Sequence, residues 1–438
     1  MRFPAPALLA ALLLGCHASP GADAAADAGP VGEPIGGRTQ NFPEAGTFDP
    51  APPGATGYED AWPQSGATDG GADGGSAENQ ACFTSSVSGT LCAPNGDTPI
   101  AGAQVAAQTH DCDGQPSSVE GTTDAAGHFL LRGVAPGTTR VVARSGSFLV
   151  QTDVEVPDGG TGYVGGSTGK VCFAAGETPV AVLTGAFDHV ERVLSHLGFA
   201  YDSFCGTYGD AAPARRLLQD PAALARYRVL FINCGSGVVL RAEDAYTHSE
   251  FENLRRFVAQ GGSLYISDLS SDFVSRLWPD AVRPIERPHL AQTVELPPCC
   301  QCGASCPAEC PLPADPRQCG SDSRFGNQCR GGFISVIGLG PAGSVGATLH
   351  APFLRSALGT ERVEIVFDLA GWMQIQDVGP GVEILASGRE ISAAAEHPLM
   401  VMFQPEPGGG RVAYTSFHNS AQADETVDRL ISALVLRL

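Results

Sequence analysis

The sequence predicts a multi-domain protein in which a small all-β sandwich is followed by an α/β domain with a Cys-rich insertion. Three observations lead to this fold class. Residues 82–172 contain short segments of alternating polarity separated by turn residues, which is typical of β-strands. From residue 179, apolar runs alternate with segments of helical spacing, which indicates right-handed crossovers and a parallel sheet. A stretch at about 297–332 is rich in Cys, Pro and Gly and follows neither pattern.

Length and charge narrow the class of protein. The chain has 438 residues, which allows two or three domains with a sizeable core. Its formal net charge is −21, whereas binding to nucleic acid needs a basic surface. We therefore expect no nucleic acid among its partners.

Residues 1–16 have the features of a secretory signal peptide. Arg2 supplies a positive charge, and the apolar run Ala5–Leu14 is too short to span a bilayer. The segment Leu13–Cys16 resembles the lipobox of bacterial lipoproteins, which implies a diacylglyceryl thioether on Cys16 after cleavage. An ordinary secretory signal with a chance cysteine is the alternative. By resemblance to enterobacterial sorting, His17 favours the outer membrane, so we expect a lipid-anchored protein of the cell envelope.

Residues 17–80 predict a disordered acidic tether. This segment is rich in Gly, Ala, Pro and Asp and contains few aliphatic residues. It cannot bury enough apolar surface to offset the entropy lost on ordering. We expect it to hold the folded domains away from the membrane.

Residues 81–172 predict the β-sandwich. The pairs Asn95-Gly96 and Pro136-Gly137 mark turns between its strands. The expected strands are Ser86–Leu91, Ala103–Gln108, His128–Arg132, Thr138–Ala143 and Phe148–Val156.

Four segments of this region carry a family resemblance. They are Val87–Thr90, Pro99–Val105, Thr123–Phe129 and Gly133–Gly137. Together they resemble the carboxypeptidase regulatory-like domain, a transthyretin-like sandwich. The resemblance implies an accessory module without catalysis of its own.

Residues 178–438 predict the α/β domain. Gly261 and Gly262 end a helix whose apolar face carries Phe251, Leu254 and Val258. The expected helices are His189–Leu197, Ser249–Ala259 and a closing helix through Val427, Leu430, Ile431 and Leu434. The expected strands are Val180–Thr184, Ala200–Phe204, Val229–Asn233, Ser263–Ser267, Val363–Asp368, Val382–Leu385, Leu399–Phe403 and Arg411–Phe417, the last two forming a hairpin.

Three segments of this domain resemble the class I glutamine amidotransferase-like superfamily. They are Val180–Gly185, Gly261–Asp268 and Gly410–Asn419. The resemblance implies a flavodoxin-like three-layer fold. More narrowly, the SDxxxDxVxxxxP motif from Ser267 to Pro279 is similar to one found in exported proteins of delta-proteobacteria.

The end of the strand Ser263–Ser267 is the most informative position in the α/β domain. Ligands and chemistry collect at the carboxyl ends of the strands in open α/β sheets. In active amidotransferases this elbow presents a cysteine flanked by glycines. Here Ser267 or Asp268 stands in its place, and Leu269 replaces a glycine. The elbow is therefore degenerate.

The second part of the resemblance concerns the catalytic base. Phe417-His418 matches the segment that holds the histidine, but Asn419 and Ser420 replace the proline and the orienting glutamate. Ser267 and His418 are the candidate catalytic pair, because a serine nucleophile needs an adjacent base. The missing acid makes a site kept for binding or structure the leading interpretation.

Asp268 and Asp272 are separated by one helical turn. Both carboxylates are expected at a helix N-terminus, where Asp favours capping. The alternative is a site for a hard cation or sugar hydroxyls, to which His418 and Asn419 would also contribute. We predict no specific metal ion and no cofactor.

The export signal makes disulfides the default state of the cysteines, although Cys299-x-x-Cys302 also fits a zinc site. Cys205 and Cys234 both follow strands, so they are candidate partners for each other or for the insertion. With Cys16 lipidated, an odd number remains, so at least one cysteine is free or pairs between chains. The disulfide candidates are Cys82, Cys92, Cys112, Cys172, Cys205, Cys234, Cys299, Cys300, Cys302, Cys306, Cys310, Cys319 and Cys329.

These patterns favour a surface-tethered lipoprotein with a non-catalytic binding or structural role in the cell envelope. Its partners would be the membrane, through the lipid anchor, and an envelope protein or glycan that the sequence does not identify. A hydrolase or amidase that uses Ser267 and His418 is the alternative. A redox or metal protein centred on the insertion is a third possibility.

Overall fold

The computed structural model describes residues 73–74, 82–185, 187–206, 212–235, 248–285, 339–368, 371–389, 395–417, 419 and 425–438. Cys16, nearly all of the tether, the Cys-rich insertion and His418 lie outside the described residues, as does the side chain of Asp272. Contacts within the chain define two units. Among the described residues, one unit holds those up to Thr178 with Leu194–Ala200 and Ser432–Leu438, and the other holds Pro179–Val193 and Tyr201–Ile431.

The first unit is built from two β-sheets. One sheet has the order β1-β5-β2-β8 with β9 also paired to β2, and the other has the order β4-β3-β6-β7. The sheets contact each other through β2 with β7 and through β3 with β5. The strands are β1 (Asp73–Gly74), β2 (Ser86–Cys92), β3 (Gln104–His110), β4 (Pro116–Thr122), β5 (His128–Arg132), β6 (Gly137–Ser145), β7 (Phe148–Val156), β8 (Thr161–Tyr163) and β9 (Lys170–Cys172).

Side chains from both sheets form the core of this unit. Val87 and Leu91 of β2, Val105 of β3 and Val141 of β6 are almost completely buried. All five strands predicted in this region are present, because alternation with a period of two identifies half-buried strands. The sequence missed β4, because its residues PSSVEGT contain a single aliphatic side chain.

Two disulfides close loops in this unit. Cys82 is bonded to Cys112, and Cys92 to Cys172. Cys92 and Cys172 are opposite each other in the pairing of β2 with β9, so this bond joins two strands that are already neighbours.

The second unit contains a nine-stranded sheet. Its order is β11-β10-β12-β13-β22-β21-β20-β16-β17. The strands are β10 (Val180–Thr184), β11 (Asp202–Cys205), β12 (Val229–Ile232), β13 (Ser263–Ser267), β14 (Val282–Pro284), β15 (Leu339–Gly340), β16 (Gly343–Leu349), β17 (Arg362–Phe367), β18 (Trp372–Met373), β19 (Ile375–Val378), β20 (Glu383–Arg389), β21 (His397–Phe403) and β22 (Val412–Thr415). The helices from residue 179 onward are α1 (Val190–Leu197), α2 (Ala212–Gln219), α3 (Pro221–Leu224), α4 (His248–Ala259), α5 (Ser271–Leu277), α6 (Pro352–Leu358) and α7 (Glu425–Val435).

The five strands β11, β10, β12, β13 and β22 are parallel, and the remaining four pair antiparallel. The parallel part has the strand order 2-1-3-4-5, which is the order of flavodoxin-like sheets. Strands β10, β12 and β13 are buried over nearly all of their length, as parallel strands covered on both faces should be.

Helix α4 packs on this sheet through the face that the sequence indicated. Phe251, Leu254 and Val258 are buried in one apolar cluster with Ile266 of β13. The helix ends before Gly261, which has φ of 94°, a conformation that favours glycine.

The sequence missed several elements of this unit. Helix α2 was not predicted because Pro213 reads as a turn signal, although proline is tolerated in the first turn of a helix. Ala214, Leu217 and Leu218 are buried on its inner face. Strand β16 was missed because its sequence, GSVGATL, is rich in glycine.

The strands on either side of residues 286–338 both pair with one short stretch, Trp372–Val378. Strand β14 precedes this segment and pairs with β19, and strand β15 follows it and pairs with β18. Strands β18 and β19 are separated by a single residue, Gln374. Among the residues that the structure describes, no helix has the length and apolar character of a membrane span.

The loop lengths allow a prediction about the two disulfides. The bond between Cys92 and Cys172 spans 80 positions, and that between Cys82 and Cys112 spans 30. Chain entropy gives a stabilisation of about 4.5 kcal/mol for the longer loop and about 3.5 kcal/mol for the shorter one. The double variant Cys92→Ala/Cys172→Ala should therefore lower the Tm of the β unit in calorimetry more than Cys82→Ala/Cys112→Ala. The opposite order would contradict this account.

Candidate functional site

Four neighbouring parallel strands bring polar side chains to one edge of the sheet. Asp188 follows β10, Asn233 follows β12, Ser267 ends β13 with Asp268 next to it, and Asn419 follows β22. All five residues are buried. Because the carboxyl ends of parallel strands lie at the same edge, these side chains form one polar cluster.

The Asp188 carboxylate is at the centre of this cluster. Its Oδ1 accepts hydrogen bonds from the backbone N–H of His189 at 2.9 Å and of Asn419 at 3.2 Å. Its Oδ2 accepts from the Ser267 hydroxyl at 2.5 Å. Buried charge is costly unless it is hydrogen-bonded, and here three donors from three parts of the chain meet that requirement.

A glycine lets the chain after β10 approach β12 closely. A Cβ at Gly185 would lie 2.0 Å from the carbonyl oxygen of Cys234. The same oxygen accepts a hydrogen bond from the backbone N–H of Phe187. Gly185, part of the VAVLTG segment, is therefore needed to place Asp188 beside the end of β12.

Asp268 occupies the turn between β13 and the helical segment that follows. It has φ of 41°, and among the described residues it is the one non-glycine residue with positive φ. A sharp, strained strand-to-helix turn is the geometry of a nucleophile elbow. The sequence left open whether Ser267 or Asp268 stands at the elbow; of the two residues, Asp268 has the positive φ of such a turn.

Both carboxyl oxygens and the carbonyl oxygen of Asp268 have partners. Its Oδ1 accepts from the backbone N–H of Met373 at 2.7 Å, and its Oδ2 lies 3.5 Å from the thiol of Cys234. Its carbonyl oxygen accepts from the Tyr414 hydroxyl at 2.9 Å. The side chain is therefore fixed inside the protein, with 3% of the residue exposed.

Burial controls the electrostatics of these groups. Desolvation raises the pKa of Asp268 to about 7; the hydrogen bond from Met373 opposes this increase, and the nearby charge of Asp188 adds to it. Burial also raises the pKa of the Cys234 thiol, with a further contribution from Asp268. The thiol is thus neutral at physiological pH, and the Asp268 carboxyl is partly protonated.

Ser267, one member of the predicted catalytic pair, is buried at the end of β13. Its backbone is extended, with φ of −119° and ψ of 140°, and its side chain is fully buried. Its hydroxyl proton is directed at the Asp188 carboxylate. The other member of the predicted catalytic pair, His418, lies outside the described residues.

Two further predictions for this edge were wrong. The Asp268 carboxyl does not cap the helix that follows it, because it bonds to Met373 on a distant part of the chain. Cys234 is a free thiol and is not disulfide-bonded, since it is buried against Asp268. Cys205, its candidate partner, is disulfide-bonded.

The sequence did not identify several residues of the cluster as candidate site residues. His189 donates through Nδ1 to Glu191 at 2.9 Å, and this hydrogen bond raises the pKa of His189. Asn233 donates through Nδ2 to the other oxygen of Glu191 at 2.8 Å. Their place in the sequence could have indicated that Asp188 and Asn233 belong to the site, because they follow the buried strands β10 and β12.

Asn419, a predicted binding residue, is hydrogen-bonded to His189 within the cluster. Its side chain accepts from the His189 N–H at 2.9 Å and donates to the His189 carbonyl oxygen at 2.9 Å. Within the described ranges, no group of three or more His, Cys, Asp or Glu side chains is arranged to hold a metal ion.

The raised pKa of Asp268 predicts a pH-dependent effect of the variant Asp268→Asn. The carboxyl titrates near its ordinary pKa of 3.8 in the unfolded chain and at about 7 in the folded protein. The stability linked to it is complete below pH 4 and is lost as the pH rises to about 7. The asparagine side chain of the variant keeps the acceptor for Met373 but cannot ionise. The stability of Asp268→Asn relative to wild type should therefore rise over this range by up to about 4 kcal/mol.

Denaturant unfolding at a series of pH values measures this difference. Asp268→Ala is the matched comparison, because it removes both the charge and the acceptor for the Met373 N–H. It should therefore be less stable than Asp268→Asn at every pH. A difference between Asp268→Asn and wild type that does not change with pH would contradict the assignment.

Comparison with known proteins identifies a family for one part of the chain. Residues 86–164 match the family model of the carboxypeptidase regulatory-like domain. The β-rich unit contains this domain, as the sequence resemblance implied. No curated protein matches the chain.

The α/β unit is structurally similar to glutamine amidotransferases. One from Thermotoga maritima has 10% sequence identity and a TM-score of 0.31, over 59% of this chain and 82% of that one. Another glutamine amidotransferase has 15% identity and a TM-score of 0.29, over 59% of this chain and 98% of the other. A β-galactosidase from Bacillus circulans sp. alkalophilus has 12% identity and a TM-score of 0.29, over 60% of this chain and 30% of its own. These similarities concern the fold alone.

Proposed function

We propose that this protein is a lipid-anchored lipoprotein of the cell envelope whose α/β unit binds a partner and does not catalyse a reaction. The partner would be an envelope protein or a glycan. The observation that carries the non-catalytic part is the elbow itself, where a buried aspartate occupies the position of a nucleophile.

The state of Asp268 argues against a nucleophilic role. A carboxylate attacks only in its ionised form, and burial raises the pKa of this group to about 7. Its Oδ1 also accepts a hydrogen bond from Met373, which reduces the electron density available for attack. The cluster is better suited to fixing the geometry of the strand ends than to bond formation.

The alternative is a hydrolase or amidase that uses Ser267 and His418. It would require the Ser267 proton to pass to His418 as the hydroxyl attacks. The hydroxyl instead donates at 2.5 Å to Asp188, and the whole residue is inaccessible to solvent. This arrangement favours the binding role over the hydrolase.

Sequence features support the anchor. Leu13–Cys16 resembles a lipobox, and residues 17–80 have the composition of a flexible tether. Such a chain would be anchored in the outer membrane by the lipid on Cys16, in keeping with the similarity of Ser267–Pro279 to exported delta-proteobacterial proteins. In that compartment the cysteines of residues 299–329 would form disulfides and would not bind zinc.

The first test uses a serine-directed fluorophosphonate probe. Wild-type protein should not be labelled, because the Ser267 hydroxyl is buried and bonded to Asp188. An active serine hydrolase in the same reaction serves as the positive control. Labelling of wild type that is lost in both Ser267→Ala and His418→Ala would favour the hydrolase and overturn the proposal.

The second test concerns the anchor. Cells fed an azido-palmitate analogue should incorporate it into wild type, and Cys16→Ser should abolish the label and release the protein from the membrane fraction. Cys234→Ser is a suitable control, because it removes a buried thiol without affecting the lipobox. Equal labelling of Cys16→Ser and wild type would contradict the lipoprotein assignment.

A further inference from the structure

One border of the nine-stranded sheet is a strand with a free edge. Strand β17 is the last in the strand order, and among the described residues it pairs with β16 alone. The unpaired N–H and C=O groups of an edge strand are a template for pairing with another extended chain. The outer edge of β17 is therefore a place where this sheet can be continued.

The pairing with β16 shows which backbone groups of β17 face outward. The N–H of Leu349 donates to the carbonyl oxygen of Glu361 at 2.8 Å, in line with the register of the two strands. Antiparallel pairs alternate between hydrogen-bonded and non-hydrogen-bonded positions. Every second residue counted from Glu361 therefore turns its backbone groups to β16. The backbone groups of Arg362, Glu364 and Val366 face away from it.

The two faces of β17 differ in burial. Ile365 and Phe367 are 0% and 2% exposed, and Val363 on the same face is partly buried. Arg362 and Glu364 point to the opposite face and are exposed. A strand added at this edge has to alternate in the same way, because one face of β17 is apolar and the other is charged. A second copy of β17 meets that requirement.

One antiparallel register of β17 with its own copy satisfies both the backbone and the charges. With Ile365 opposite itself on a two-fold axis, Glu364 exchanges both main-chain hydrogen bonds with Val366 of the partner subunit, and the axis repeats this exchange. Arg362 then lies opposite Asp368 of the partner subunit, and this pair is repeated as well. Arg362 and Asp368 are both exposed. The hydrogen bonds and the opposite charges therefore favour the same register.

The neighbouring registers are disfavoured. Moving the axis by one residue in either direction places Glu364 opposite its own copy or opposite Asp368 of the partner subunit, which brings like charges together. An axis at Val363 would again pair opposite charges, Arg362 with Glu364. That register needs the backbone groups of Arg362, whose N–H and C=O are both hydrogen-bonded to the Thr360 hydroxyl.

We propose that β17 pairs antiparallel with β17 of a second copy of this chain, so that the two nine-stranded sheets become continuous across a two-fold axis at Ile365. The interface is isologous, because the same residues contribute from both sides. A single pair of strands buries less surface than a stable dimer interface, so the association is weak and transient. The inference goes beyond the proposed function, since it makes the chain its own partner.

Sedimentation velocity on the full-length chain tests the proposal, with Cys16→Ser as the parent because serine cannot carry the thioether lipid. The parent should show a monomer–dimer equilibrium as its concentration rises. Arg362→Asp and Asp368→Arg should each weaken the association about tenfold or more, because each turns opposite-charge pairs into like-charge pairs. An equimolar mixture of these two variants should dimerise as the parent does, since the mixed pairs again have opposite charges.

Arg389→Asp is the matched control. Arg389 is exposed on β20, an inner strand of the same sheet, so its reversal changes the net charge equally and should leave the dimer intact. The double variant Arg362→Asp/Asp368→Arg should dimerise and replaces the mixture if one single variant does not fold. The inference would be overturned by a parent that stays monomeric, by a dimer that neither single variant weakens, or by variants whose association is not restored. None of these results alters the fluorophosphonate or lipid-labelling outcome.

Discussion

The buried carboxylate of Asp188 is the interaction on which the carboxyl edge of the sheet depends. It receives hydrogen bonds from residues that follow β10, that end β13 and that follow β22. An ion cannot remain in the interior without such donors, so its burial forces these three chain segments into fixed positions. The Ser267 hydroxyl is one of the donors. The position of Ser267 therefore follows from the hydrogen bond that its hydroxyl donates to this carboxylate.

Much of the fold could be predicted because burial leaves a periodic trace in the sequence. The five strands that read as β between residues 86 and 156 are present, as are the buried runs of β10, β12 and β13. The prediction failed where tertiary contacts override local signals. Strand β4 is formed by polar residues paired with β3, and helix α2 begins around a proline that local rules assign to a turn.

The position of the site in the fold could be predicted from the sequence, but the hydrogen-bond partners of its residues could not. The end of β13 follows from the elbow, but the partners of Asp268 are Met373 and Cys234, more than 30 positions away in either direction along the chain. No local pattern indicates such contacts. The sequence therefore favoured helix capping, the commonest local use of an aspartate at a helix start. The positive φ that places Asp268 at the elbow is likewise a property of the folded backbone.

Strands β14 and β15, which flank residues 286–338, are held by one continuous stretch, Trp372–Val378. The two points at which residues 286–338 join the described chain are therefore held close to each other. Loop-closure entropy depends only weakly on the number of residues between two such fixed points. A change in the length of this segment should therefore cost the nine-stranded sheet little through chain entropy.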